Sequence, residues 1–211
     1  MAEAREIQNQ LRGAVICEDD LGPVRWVAGI DVGVHRRLGK VRAAAALLRY
    51  PDLTLFGSSV AVAPLEFPYV PGYLSFRELP VAVTALERLT QQPDLLLCDG
   101  HGLAHPRRFG LASHLGLETG LPSIGVGKTR LLGNHGPVPT ARGEWTALFD
   151  EGADGEIIGA VLRTRERVKP IYISIGHRIG LDTAIAYVMG CVTRYRLPET
   201  TRAADRLAGW R

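Results

Sequence analysis

Two aspartates, Asp31 in VAGIDVGV and Asp99 in LLLCDGHG, each close a run of apolar, strand-forming residues. Such a run belongs inside a sheet, so its terminal carboxylate sits where water is scarce and its charge needs a cation or a partner. One such position is equally an ordinary strand exit, because Asp and Gly also make turns. Two of them favour a metal: Mg²⁺ takes a few carboxylate oxygens and leaves room for water and substrate phosphate.

The elements that must hold these side chains follow from periodicity. Ile7, Leu11 and Val15 predict an opening amphipathic helix, and strand-like stretches run from Val24 to Val34, Val41 to Tyr50 and Leu53 to Val62, joined by short turns as in a meander. Leu79, Val83, Leu86 and Leu89 predict a helix. A strand from Asp94 to Cys98, a helix from Leu111 to Glu118 and a strand from Ser123 to Val126 then alternate, which predicts parallel crossovers. A second β section covers Trp145 to Phe149, Ile157 to Arg163 and Ile171 to Ile175, before a helix with Leu181, Ile185, Val188, Val192 and Tyr195 on one face. Gly133 to Glu144 reads as a surface loop. The fold class is α/β, a mixed β-sheet flanked by helices, with residues 1–211 as a single domain.

A hydrophobic fraction of 46% supports a sizeable core. No apolar run approaches the ~18 residues that span a bilayer. The polar start, MAEAREIQNQLRG, lacks the core of a secretory signal, so the expected location is cytoplasmic, without a membrane partner. Cys17, Cys98 and Cys191 show no paired spacing and read as reduced thiols. A net charge of +3 permits a nucleic-acid partner without requiring one; positive residues cluster in HRRLGKVR, at Arg107 and Arg108, at Lys128 and Arg130, and from Arg163 to Lys169. Two patterns are decoys. GVGKT needs Gly at position 122 to complete a phosphate-binding loop and has Pro122, and His101 and His105 stand four apart as helical zinc ligands do, but DGHG around His101 is a poor helix interior and the Glu of H-E-x-x-H is absent.

A meander followed by parallel strands, with one Asp on the first strand and another on the fourth, is the layout of the ribonuclease H-like nuclease fold. The chain resembles the endonuclease V family more closely still, in PYVPGYLSFRE (Pro68 to Glu78), DGHGLAHPRRFGLASHLG (Asp99 to Gly116), GVGKTRL (Gly125 to Leu131) and GHRIGLDTA (Gly176 to Ala184). With GIDVG these segments span residues 29–184 in family order. The resemblance implies a Mg²⁺-dependent endonuclease, with Mn²⁺ as a substitute. It would recognise deoxyinosine and other deaminated bases in DNA, cut the second phosphodiester 3′ to the lesion, and act as a monomer. Inosine-containing RNA is a further candidate substrate, and a noncatalytic binder of inosine-containing DNA or RNA is the alternative.

By position in the family motifs, Asp31 and Asp99 carry over as metal ligands, and Glu78 as a third carboxylate reaching the metal directly or through water. Ser75 to Glu78 also reads as a capping box, but Pro80 suits a first helical position, so the helix is expected to begin there with Glu78 just ahead of it. Lys128 carries over as the catalytic lysine. His177 carries over as an active-site residue, a second-metal ligand or a water orienter. In PYVPG, Pro68 and Pro71 restrict the backbone around Tyr69 and Val70, and the resemblance makes this segment a wedge whose Tyr69 fills the space of a rotated base. Gly72, Leu74, Gly100 and Gly110 are candidates for the base pocket, with His105 close by. Hypoxanthine presents an N1–H donor and an O6 acceptor where adenine has the reverse, so backbone groups suffice to tell them apart. Finally, Arg163, Arg165 and Arg167 recur every second residue; if the strand from Ile157 continues through them, all three share one face, to contact the DNA backbone or to protect a sheet edge.

Overall fold

Alternation along the first strand sets the layering. In the computed structural model, which describes residues 2–68, 70–152 and 155–210, β1 (Trp26–His35) turns Ala28 and Ile30 to one face of the sheet and Val27 to the other. Eight strands make one sheet in the order β3-β2-β1-β4-β5-β8-β7-β6, with β2 at Lys40–Arg49, β3 at Thr54–Pro64, β4 at Leu95–Asp99, β5 at Ser123–Gly127, β6 at Trp145–Phe149, β7 at Ile157–Leu162 and β8 at Ile171–His177. β1 pairs with β4, and β4 with β5, in parallel; the remaining pairs are antiparallel. The expected meander and the crossover through α3 (Leu111–Thr119) are both present, and the architecture is the expected ribonuclease H-like α/β sheet.

Helices α2 (Leu74–Glu87) and α3 cover one face, burying Val81, Ala82, Ala85, Ala112 and Leu115 against Ala28, Ile30 and Leu96. α4 (Leu181–Gly190) covers the other through Ala184, Ile185 and Val188. It ends at Gly190, so Val192 and Tyr195 fall outside it. A further helix, α5 (Glu199–Ala208), packs Ala203 and Ala204 onto Ala46 and Leu48 of β2. α1 (Ala2–Leu11) precedes the sheet. Among the described residues, no helix is long and apolar enough to cross a membrane.

Candidate active site

The same alternation that buries Val27, Leu97 and Val126 on the α4–α5 face sends Asp31, Asp99 and Lys128 to that face. Ile30 pairs with Cys98, and Asp99 with Val126, so the three polar residues emerge side by side where β4 and β5 stop. β1 does not stop there. It runs on to His35 beside β2, with Asp31 opposite Ala44, so Asp31 is a mid-strand residue rather than a strand end.

A fourth residue, absent from the sequence reading, completes the group. α5 lies so close on β1 that a Cβ at Gly29 would fall 2.0 Å from the Thr200 carbonyl oxygen. That approach brings Asp205 over the cleft, and carboxylate oxygens of Asp31, Asp99 and Asp205 lie within 4.8 Å of one another. Lys128 Nζ is paired with Asp99 and, at 2.8 Å, with Asp205. One ammonium thus faces three carboxylates. Burial and then the Asp99 carboxylate push Asp31 up to about 7. Burial alone lowers the Lys128 ammonium pKa, but hydrogen bonds to Asp205 and Asp99 outweigh it and hold the group above its ordinary value. A compact set of hard oxygen donors with charge left uncompensated fits a divalent cation of the Mg²⁺ or Mn²⁺ type rather than a thiophilic metal.

Glu78 lines the same cleft from α2, and burial raises its pKa, but its carboxylate turns to the Arg77 guanidinium at 2.8 Å and stays outside the three-aspartate group. The expected helix start at Pro80 is overturned. α2 begins at Leu74 and carries Pro80 in its interior, and Ser75 is not a cap. Contacts of the first turn outweigh the hydrogen bond that Pro80 cannot make: Ser75 Oγ lies 3.3 Å from His114 Nδ1, and the Phe76 ring stacks on Phe67 and meets His114 edge-on.

The cleft, ≈ 510 Å³, extends from the carboxylates to Pro71, Gly72, Leu74, Gly100, His105 and Gly110. Tyr69 lies outside the described residues, and Pro68 and Val70 do not line the cleft. Gly110 has a packing reason to be glycine, since a Cβ would fall 2.2 Å from the His101 carbonyl oxygen. His105 Nδ1 accepts the Arg107 amide N–H at 3.2 Å, and the ring also hydrogen-bonds the Gly72 backbone. Burial, then Arg107, pushes its pKa down to about 4, so the imidazole is neutral at physiological pH.

Two expectations fail on geometry. His177 pairs with Ser123 at the start of β5, whereas Lys128 follows the end of β5, so His177 sits at the opposite end of the sheet. Its Nδ1 accepts the Ile16 amide N–H at 3.2 Å, a structural tie. The arginine stretch is not a strand. β7 stops at Leu162, and the chain turns back towards β8 with Thr164 buried and donating to the Arg196 carbonyl at 2.7 Å. Arg163 is held by the carbonyls of Pro139 and Val168, and Arg167 has a φ of 58°, incompatible with a period-two ladder.

A family model described as Endonuclease V matches residues 9–206. Over 208 residues the chain is 57% identical to Endonuclease V of Roseiflexus sp. (strain RS-1), covering 99% of this chain and 91% of that protein. The crystal structure of Endonuclease V from Streptomyces avermitilis superposes with a TM-score of 0.92 at 44% identity, covering 98% of this chain and 90% of that one. Endonuclease V of Ciona intestinalis, solved in complex with a 24mer DNA containing an inosine followed by a ribo-adenosine, matches with a TM-score of 0.85 at 27% identity, over 98% and 95% of the two chains.

Proposed function

The chain belongs to the endonuclease V family, and from that premise we propose a metal-dependent endonuclease that takes deoxyinosine out of the DNA stack and cuts the second phosphodiester on its 3′ side. The three-aspartate group around Lys128 is the observation that carries this reading. Asp31, Asp99 and Asp205 would hold Mg²⁺, with Mn²⁺ as a substitute, and Glu78 would act through water. When bound, the ion supplies charge neutralisation at the phosphoryl oxygens and an activated water. Lys128 stays protonated throughout and stabilises charge that develops on the phosphate. Asp31 and Asp99, fixed on neighbouring strands, orient the site without further ordering. Tyr69 in PYVPG serves as the wedge, and the cleft wall from Pro71 to Leu74, with Gly100, receives the base. Residues 1–211 act as one catalytic domain, monomeric and cytoplasmic. Other deaminated bases, and inosine in RNA, are further candidate substrates, the Ciona complex being with inosine-containing DNA.

The test is incubation with Mg²⁺ and end-labelled DNA carrying one deoxyinosine, followed by mapping of the nick. A lesion-dependent, EDTA-sensitive nick at the second 3′ phosphodiester is expected. Retention of the DNA without any nick, across metals and salt, would replace the enzyme with a noncatalytic binder.

A further inference from the structure

Behind the cleft wall lies a polar network that cation binding does not use. Gln8, on α1, is fully buried, and its side-chain hydrogen bonds tie together Gly72, Phe109 and Arg107. Its Nε2 donates to the carbonyls of Gly72 at 3.1 Å and Phe109 at 3.3 Å, and its Oε1 accepts from Arg107 Nε. Arg107 Nη2 donates to the same Gly72 carbonyl, and the guanidinium lies 4.1 Å over the Tyr73 ring. Gly72 has a φ of +79°, and a Cβ there would fall 2.7 Å from Arg107 Nη2. Glycine at 72 is therefore explained by the left-handed backbone and by the guanidinium behind it.

A carbonyl oxygen has two lone pairs, and here Gln8 and Arg107 approach it together, with the His105 ring as a further donor. We propose that Gln8 and Arg107 are positioning residues that sequester the Gly72 carbonyl and so strip this part of the cleft wall of an acceptor. The proposal rests on the reading of the cleft as a base pocket. The exocyclic amino group of adenine is a donor that needs such an acceptor, whereas O6 of hypoxanthine does not. With the 6-position of the base against this wall, the adenine amino group loses its water without compensation while O6 of hypoxanthine needs no acceptor there and its N1–H is met elsewhere, which penalises adenine relative to hypoxanthine. Lysine at 107 would keep the charge and lose the fork that reaches Gln8 and Gly72 together.

The experiment compares the wild type with Gln8→Leu, Gln8→Asn and Arg107→Lys, each checked for folding by circular dichroism. Affinities are measured in EDTA for matched duplexes with inosine or adenine at one position, and amide exchange is followed over residues 70–74 of the free proteins. Arg107→Lys and a folded Gln8 variant are expected to lower the inosine-to-adenine affinity ratio at least tenfold, leave adenine DNA binding unchanged or tighter, and speed exchange at 70–74. Should Gln8→Leu not fold, Gln8→Asn, one methylene short, is read in its place. A wild-type ratio in Arg107→Lys, or equal weakening on both duplexes, overturns the proposal. A wild type with no preference for inosine sinks the base-pocket reading instead; the exchange data then decide alone whether the network holds the loop, and unchanged exchange overturns it.

Discussion

Strand β4 is bracketed by two aspartates that meet opposite fates at opposite ends of the sheet. Asp94, just ahead of it, accepts the amide N–H groups of Arg25 at 2.8 Å and Trp26 at 2.9 Å, and its own N–H donates to the Trp26 carbonyl at 2.8 Å. Asp99, at its far end, faces Asp31, Asp205 and Lys128. One carboxylate is filled by backbone donors and closes the fold; the other is left among like charges, an arrangement that folding alone would not favour. The neighbours of a strand-end aspartate, more than its position, distinguish support from chemistry.

The largest effect should come from the cleft end. Asp99→Asn or Asp31→Asn is expected to reduce Mg²⁺-supported nicking of inosine DNA by at least ~10³-fold with circular dichroism and lesion binding retained, because the amide keeps the shape and loses the charge. Near-normal turnover in either variant would remove that residue from the cation site. Asp205→Asn should cost less, roughly 10²-fold, because its side chain is half exposed where Asp99 is largely buried. A loss equal to that of Asp99→Asn would make the helix-borne ligand a full partner of the strand-borne pair.

Stability should separate the two ends by sign. Asp94→Ala strands two amide donors and is expected to cost ~1–3 kcal/mol in urea unfolding at pH 8, with nicking per folded molecule unchanged. Asp31 acts the other way in metal-free protein. Its pKa is raised from 3.8 to about 7, so the folded state favours the neutral acid, and stability is lost as pH rises from about 3.8 through about 7. Asp31→Asn should therefore gain ~1–3 kcal/mol at pH 8 in EDTA and nothing near pH 4. Destabilisation by Asp31→Asn at pH 8 would show that the amide forfeits contacts worth more than the relieved charge. A smaller acid effect comes from His114, pushed down to about 4 by burial: as pH falls from about 6.5 through about 4, its contribution is lost, and His114→Gln should flatten that limb of the urea profile.

What was legible follows the same divide. Asp99 stood out because an apolar run ends on it, and Asp31 because a carboxylate interrupts one; both are visible without coordinates, although β1 runs on past Asp31. Lys128 was carried by its motif. Asp205 sits in ETTRAADRLA, a polar stretch whose function depends on a contact no local pattern announces; the only traces were the small residues Ala203, Ala204 and Ala208, which let α5 settle on Gly29 and Ala46. The Pro80 reading used a sound local rule and lost to Ser75 and Phe76 packing on α3 and Phe67. His177 followed a motif whose histidine here closes a strand end, and the arginine triplet followed a period that the turn after Leu162 breaks.

The closeness of α5 to β1 also has a consequence in time. Asp205 follows Lys128 by 77 residues, which at a synthesis rate of about 5–20 residues per second is roughly 4–15 s on the ribosome. During that interval the emerging chain carries two aspartates and a lysine but not the third carboxylate, and the bare glycine track of β1 awaits its cover. A chain ending before Thr200 would lack Asp205 and the helix that covers Gly29, Ala46 and Leu48. The three-aspartate group is thus assembled only when one late helix docks, after every strand of the sheet has been made.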